Sequence, residues 1–201
     1  DKKWKYPWFN NGQCYNQVGQ YKKAIECYDE AINLDEKWQF PWFNKGQCLD
    51  ELGQYKEAIE CYDEAIKINK KWKRALFHKG DILETKLGQL KKAKECYRES
   101  LKTHPKNSDD WRLDGLCHVR LGQDRKAIKC YDKALKMNPK NMAAKFAKAF
   151  TLTAKFSKHN AAIKCYKEVL EVNPNDPMTL NNIGWTYHQL KKYTQAIPFY
   201  D

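Results

Sequence analysis

Apolar and polar residues recur along this chain with a period of 34 or 35 residues. The string Ala-Ile-Glu-Cys-Tyr begins at Ala24 and returns at Ala58. Variants of this string begin at Ala93, Ala127, Ala162 and Ala196. A second landmark keeps the same period, at Gly12, Gly46, Gly80, Gly115, Ala149 and Gly184. Two landmarks with one period indicate a single duplicated structural unit.

Each unit has the pattern of two helices joined by a short turn. Residues 7–15 place apolar side chains at helical spacing, and Pro7 suits a first helical turn because an N–H there has no partner. Gly19 predicts a left-handed end to this helix, and the helical period resumes from Tyr21 to about Leu34. The same stop signal recurs at Gly53, Gly88 and Gly122. Connections of two or three residues predict antiparallel pairs.

Two of the units are one residue longer than the others, and the extra residue falls near the turn. One extra residue lies around Thr85 to Leu87, and the other lies around Phe156 to Asn160, where no glycine is present. We therefore expect a longer, less regular turn at the second place. Within all units, small residues such as Gly12 and Ala24 let the two helices approach, and a recurring tyrosine fills the gap between neighbouring hairpins.

These residues resemble the tetratricopeptide repeat family, whose signature spaces aromatic, Gly and Ala residues in the same way. In the first unit the matching residues are Trp8, Gly12, Tyr15, Ala24, Tyr28 and Ala31. The resemblance implies an all-α fold, a right-handed α-solenoid superhelix of tandem antiparallel helix hairpins. The chain departs from the family where a Leu usually precedes the Gly, since it has Asn11, Lys45, Lys79, Asp114 and Lys148 there, and only Ile183 is apolar. We expect these positions to be more exposed than usual.

The repeats predict one array over residues 1–201. The predicted units are 5–38, 39–72, 73–107, 108–141, 142–176 and a partial unit at 177–201. Asp1-Lys2-Lys3-Trp4 is similar to the unit end Asp35-Glu36-Lys37-Trp38, and the sequence stops at Asp201 inside a predicted second helix. We therefore expect the chain to be a fragment of a longer protein with further repeats or caps.

Composition and charge favour a soluble, cytoplasmic protein. The chain is 42% hydrophobic and 31% charged, with no apolar run near the roughly 18 residues of a spanning helix and no signal-peptide pattern. The net charge of +12 would suit an anionic partner, and its excess begins at residue 73. Most basic residues are Lys, whereas base and phosphate recognition favours Arg. A nucleic-acid partner is therefore the less favoured prediction, and no membrane contact is expected.

Candidate chemistry is sparse, so we expect no enzyme activity, no cofactor and no metal site. Cysteines recur at two repeat positions rather than in Cys-x-x-Cys pairs, and packed helices hold such positions too far apart for disulfides. The five histidines are scattered and form no zinc or nucleophile motif. Small, buried, reduced thiols explain the cysteines better than a ligand set.

In the family, the first helices of the hairpins line a concave groove that takes peptides, and this implies a candidate site here. Aromatic rings supply burial and amides pair with a peptide backbone. The predicted groove residues are Phe9, Asn10, Gln13, Phe43, Asn44, Gln47, Phe77, His78, Asp81, Phe146, Asn182 and Trp185. The expected partner is a protein or peptide segment of unknown identity. An alternative is that the phenylalanines only pack between repeats.

Three other hypotheses remain open at this point. Co-chaperones similar to this family bind a chaperone carboxylate through Lys, Asn, Asn, Lys and Arg, and of the aligned residues only Asn44 is identical and Arg74 similar. The Lys-rich region from residue 73 onwards could make the chain an RNA-binding superhelix. Uncapped ends could also stack on one another, which would give a self-associating structural array.

Overall fold

The computed structural model describes residues 4–200, so the terminal Asp1-Lys2-Lys3 and Asp201, on which the fragment prediction depends, lie outside the described residues. Helices account for nearly all of this range, and no strand occurs within it. In chain order the helices are α1 Lys5–Gln17, α2 Tyr21–Leu34, α3 Gln39–Glu51, α4 Tyr55–Ile68, α5 Lys73–Thr85, α6 Leu90–Leu101, α7 Ser108–Arg120, α8 Asp124–Met137, α9 Met142–Phe156, α10 His159–Leu170, α11 Pro177–Gln189 and α12 Tyr193–Ala196. A short 3₁₀ helix, Ile197–Phe199, follows α12.

The helices pair into the hairpins that the repeat predicted, and the prediction of an all-α fold of tandem hairpins is confirmed. The chain divides into two compact units, one up to Thr103 and one from His104 onwards. The first unit contains α1 to α6 and the second contains α7 to α12. Each unit is described separately below, and the single array over residues 1–201 stays a prediction.

A buried tyrosine on the second helix of each of the first five hairpins explains the small residue on the first helix of the same hairpin. Tyr62 is fully buried, and a Cβ atom added to Gly46 would lie 2.8 Å from the Cε1 atom of that ring. The backbone of α3 can therefore approach the ring only without a side chain at this position. The neighbouring hairpin completes the packing, because Cys48 of α3 lies in one buried cluster with Ala24 and Tyr28 of α2.

Residues in the left-handed conformation end the first helix of each hairpin. Gly19, Gly53, Gly88 and Gly122 have φ angles between 65° and 76°, as the stop signals predicted. The connection from α5 to α6 has four residues, so the extra residue near Thr85 does lengthen that turn. The longer turn expected around Phe156 to Asn160 is wrong. There α9 continues for 15 residues, two more than α7, and only two residues connect it to α10. The longer helix places Phe156 against the buried core.

The residue before the first helix of a hairpin differs between the two units. In the second unit Asn107, Asn141 and Asp176 accept hydrogen bonds from backbone N–H groups of the first turns of α7, α9 and α11, at 2.8, 2.9 and 2.8 Å. In the first unit Trp38 and Trp72 occupy this position and make no side-chain cap. A side-chain cap stabilises a helix by about 1 kcal/mol, so the tryptophans give up that contribution.

Candidate functional site

The first helices of the first unit present rings and amides on one face. Tyr6, Asn10 and Gln13 are separated by four and three residues, which places them on the same side of α1. The same spacing on α3 joins Phe40, Asn44 and Gln47. On α5 it joins Arg74, His78 and Asp81. The amide residues Asn10, Gln13, Asn44 and Gln47 are called the amide row below.

The predicted phenylalanines lie beneath this face rather than on it. Phe43 is 5% exposed and Phe77 is 9% exposed, and Phe9 and Phe146 are partly buried. Each ring packs against the tyrosine of its own hairpin, with centroid distances of 5.9 Å for Phe9–Tyr28, 5.6 Å for Phe43–Tyr62, 5.8 Å for Phe77–Tyr97 and 5.5 Å for Phe146–Tyr166. The phenylalanines therefore support the face from below and leave its contacts to the neighbouring polar residues.

The amide row is accessible to a partner. Asn10 and Gln13 are exposed, and Asn44 and Gln47 are half-buried. No described residue hydrogen-bonds to the side-chain amides of Asn10, Gln13 or Gln47, so these can meet new donors and acceptors. Asn44 lies beside the Tyr28 hydroxyl: burial raises the pKa of Tyr28, and the nearby Asn44 amide partly opposes that rise.

The third hairpin adds titratable groups next to the amide row. The His78 ring lies 5.4 Å from Phe43 and 6.0 Å from Tyr62, and Asp81 is half-buried on the following turn. Burial raises the pKa of the Asp50 carboxyl, and the charge of Glu51 adds to this. Lys86 opposes the rise and Asp81 adds to it, so these four charged groups lie close together.

The sequence reasoning missed four aromatic residues in the first unit. Tyr6, Trp38, Phe40 and Trp72 form a continuous aromatic row, with ring centroids 5.1, 6.5 and 5.2 Å apart from one member to the next. Tyr6 is 55% exposed and Phe40 is 45% exposed. Two features of the sequence could have found them: the recurrence of Trp38 and Trp72 at the repeat ends, and the aromatic second residue of α1 and of α3.

The remaining predicted residues lie in the second unit. Phe146 lines a pocket of about 290 Å³ between α9, the end of α10 and the start of α11, together with Val172 and Met178. Trp185 is 43% exposed. The Asn182 Nδ2 atom donates to the Met178 carbonyl at 2.7 Å, so one of its donors is already used inside α11. The amide pattern of the first unit is thus replaced here by a more apolar surface.

The cysteines are free thiols, and all except the exposed Cys14 are buried or partly buried. Cys48 and Cys61 are buried, and burial raises their pKa values to about 12 and about 11. A thiol with such a pKa is protonated at neutral pH and is a poor nucleophile. Within the described part of the chain, no group of three or more His, Cys, Asp or Glu side chains could hold a metal ion. No described helix is long and apolar enough to cross a membrane.

Two family models match the chain. The model described as the cytochrome c-type biogenesis protein H TPR domain matches residues 88–201, and the tetratricopeptide repeat model matches residues 6–37 and 41–71. Together they cover both units. None of the curated proteins compared with the chain matches it.

Several solved structures have a similar fold. The Cut9 and Hcn1 hetero-tetramer of the APC/C matches with a TM-score of 0.79 and 18% identity over 97% of this chain and 38% of that one. PilF of Pseudomonas aeruginosa matches with a TM-score of 0.70 and 16% identity, over 98% and 89% of the two chains. YrrB, described as a TPR protein with an unusual peptide-binding site, matches with a TM-score of 0.54 and 22% identity over 87% and 89%. At these identities the likeness shows the fold alone.

Proposed function

The chain belongs to the tetratricopeptide repeat family, and we propose that it is a binding scaffold which holds an extended protein segment against the first helices of its hairpins. The observation that carries this proposal is that exposed rings and accessible amides lie on one side of α1 and α3. Binding rather than catalysis fits this surface, because it offers contacts and no reactive group.

The amide row supplies the polar contacts of this proposal. An Asn or Gln side chain presents both a donor and an acceptor, which an extended peptide backbone can satisfy at alternate residues. Each such hydrogen bond contributes about 0.5–1.5 kcal/mol net. The exposed rings of Tyr6 and Phe40 add apolar burial on the same helix faces. The peptide-binding site named for YrrB shows that one protein of this fold binds a peptide.

The buried phenylalanines give this surface rigidity rather than contacts. Phe43 lies between the rings of Tyr62, Trp72 and His78, at 5.6, 5.0 and 5.4 Å. A face held by packed rings loses little conformational freedom when a partner binds, which favours affinity. In the second unit the proposal assigns the contacts to Phe146, Asn182 and Trp185. The RNA-binding and self-association hypotheses and the cytoplasmic location stay predictions.

The test changes two amides that lie on the surface and leaves the buried rings intact. The full chain, immobilised, selects from a displayed library of random 12-residue peptides, and enrichment is compared with that on the Asn44→Ala, Gln47→Ala double variant. We expect enriched peptides on the chain and at least about a fivefold loss on the variant. The matched control is Lys56→Ala with Glu57→Ala, two exposed residues of α4 whose joint removal keeps the net charge. Absence of enrichment, or equal enrichment on the amide variant, would contradict the proposal.

A further inference from the structure

The aromatic row of the first unit is partly exposed, and packing against the core accounts for only two of its four rings. Trp38 packs 4.7 Å from Phe9, and Trp72 packs 5.0 Å from Phe43, so the tryptophans contact the core on one side. Tyr6 and Phe40 contact the row but remain about half exposed. Exposed aromatic rings that contact one another are characteristic of recognition surfaces in soluble proteins.

The tryptophans also stand where a helix cap stands in the second unit. Asn107, Asn141 and Asp176 cap their helices there, whereas Trp38 and Trp72 leave α3 and α5 without a side-chain cap. Placing a ring at this position in successive hairpins exchanges a capping hydrogen bond for a flat apolar surface. The exchange is confined to the unit that also carries the amide row.

The lysine that contacts this surface from α1 is paired with an acid. Lys5, which lies 5.0 Å from the Trp38 ring, is paired with Asp35 at 2.5 Å. The face of α1 that contains Tyr6, Asn10 and Gln13 carries no formal charge. An acidic peptide would therefore gain little from these helices. Lys37 and Lys71 are exposed next to the tryptophans in sequence, so a single-stranded nucleic acid is the competing ligand that an experiment must exclude.

Resting on the proposed function, we propose that the aromatic row and the amide row together bind a proline-rich segment in the polyproline II conformation. Proline rings are apolar and flat enough to lie against exposed aromatic rings, and this helix makes no internal hydrogen bonds, so its carbonyls accept from amide donors. It advances roughly 9 Å per three-residue turn.

The experiment measures fluorescence anisotropy of labelled decaproline with the full chain. A labelled Gly-Ser peptide of the same length and a labelled ten-nucleotide oligouridylate are the comparison probes. The variants are Phe40→Ala on the row and Phe150→Ala as the matched control, because Phe150 is 50% exposed on α9 in the other unit. Both side chains are about half exposed, and circular dichroism of each variant checks that its helices are retained. We expect binding of decaproline alone, weakened at least about fivefold by Phe40→Ala and unchanged by Phe150→Ala.

Each other outcome overturns the inference. If the Phe40→Ala variant binds decaproline as tightly as the unchanged chain, the binding site lies elsewhere. The same follows if Phe150→Ala weakens binding as much as Phe40→Ala does. Oligouridylate binding that requires Phe40 and falls steeply with salt assigns the row to nucleic acid. If decaproline fails while library peptides still require Asn44 and Gln47, the inference fails and the proposed function stands. If no peptide is retained at all, both fail.

Discussion

At the scale of single residues, the chain replaces the usual apolar residue before the conserved small position with an ion pair. Lys45 pairs with Asp29 at 2.5 Å, and Lys148 pairs with Asp132 at 2.7 Å. Lys79 pairs with Asp63 in the same way. Of the positions expected to be more exposed than usual, Asn11 is exposed, the three lysines are partly exposed, and Asp114 is buried, so the expectation is wrong for Asp114. Each lysine bridges its first helix to the second helix of the preceding hairpin, so a leucine contact has become an electrostatic one.

The glycines opposite the buried tyrosines predict a steep cost for one added methyl group. A Cβ atom at Gly115 would lie 2.3 Å from the Tyr131 Cε1 atom, the shortest such approach among the described glycines. We expect Gly115→Ala to lower the free energy of unfolding by about 1–3 kcal/mol, measured by urea denaturation. The same change in a Tyr131→Leu background should cost far less, because the obstructing ring is gone. An equal cost in both backgrounds would contradict this explanation.

The raised pKa of Asp50 predicts a change in how stability depends on pH. Because burial raises this pKa above the usual value of about 4, the folded chain holds the proton more tightly than the unfolded chain. The free energy of unfolding that protonated Asp50 contributes is therefore lost as the pH rises through its raised pKa. Asp50→Asn should raise the melting temperature at neutral pH, and the gain should shrink as the pH falls toward 4.

Thermal unfolding of the variant between about pH 4 and 8 checks this prediction. Glu57→Gln, which removes an exposed acid from α4, is the matched control. Its melting temperature should show no gain that shrinks as the pH falls. A constant difference between Asp50→Asn and the unchanged chain at every pH would show that protonation of Asp50 is not responsible.

At the scale of helices and turns, most of the structure could be predicted from the sequence, and the exceptions have a common cause. The period located α2 at Tyr21–Leu34 and the left-handed glycines because these features depend on local residues. The turn after α9 was missed because its length depends on whether Phe156 reaches the core. The sequence left open whether Phe43 is exposed or packed for the same reason, since its burial depends on Trp72, the residue before α5, which packs against it.

The fifth and sixth hairpins carry a non-glycine residue in the left-handed conformation, which predicts a local stabilisation. Ser157 has a φ of 51° and Lys191 has a φ of 58°, where the other described turns have glycine. A left-handed conformation costs an L-residue about 1–2 kcal/mol, and glycine removes that cost. The greater freedom of glycine in the unfolded chain offsets about 0.5–1 kcal/mol of this gain. We expect Ser157→Gly to raise the free energy of unfolding by roughly 0.5–1 kcal/mol.

The reverse change at an equivalent position is the control for this prediction. Gly53 has a φ of 76°, so Gly53→Ala should lower the free energy of unfolding by a similar amount. Urea denaturation of both variants measures the pair. Destabilisation by Ser157→Gly would show that the serine side chain contributes more than its backbone conformation costs.

At the scale of the whole molecule, stability is distributed over neighbouring hairpins. Within each unit, α3, α5, α9 and α11 each pack on their own second helix and on the second helix of the preceding hairpin, as Cys48 does against Tyr28. Repeat arrays built this way have stabilities close to a sum of unit and nearest-neighbour contributions. The two compact units, up to Thr103 and from His104, are therefore the segments in which we expect local unfolding to differ.

Hydrogen exchange followed by mass spectrometry tests this expectation with two equivalent glycines. Gly46→Ala and Gly115→Ala introduce the same methyl group against Tyr62 and Tyr131, one in each unit. If contributions are local, Gly115→Ala should reduce amide protection mainly in residues 104–200, and Gly46→Ala mainly in residues 4–103. A single cooperative transition would lower protection equally in both ranges for either variant, since every opening would then pass through global unfolding. The pattern therefore distinguishes additive hairpins from one indivisible fold, and it decides whether a partner held by the first unit could stabilise that unit alone.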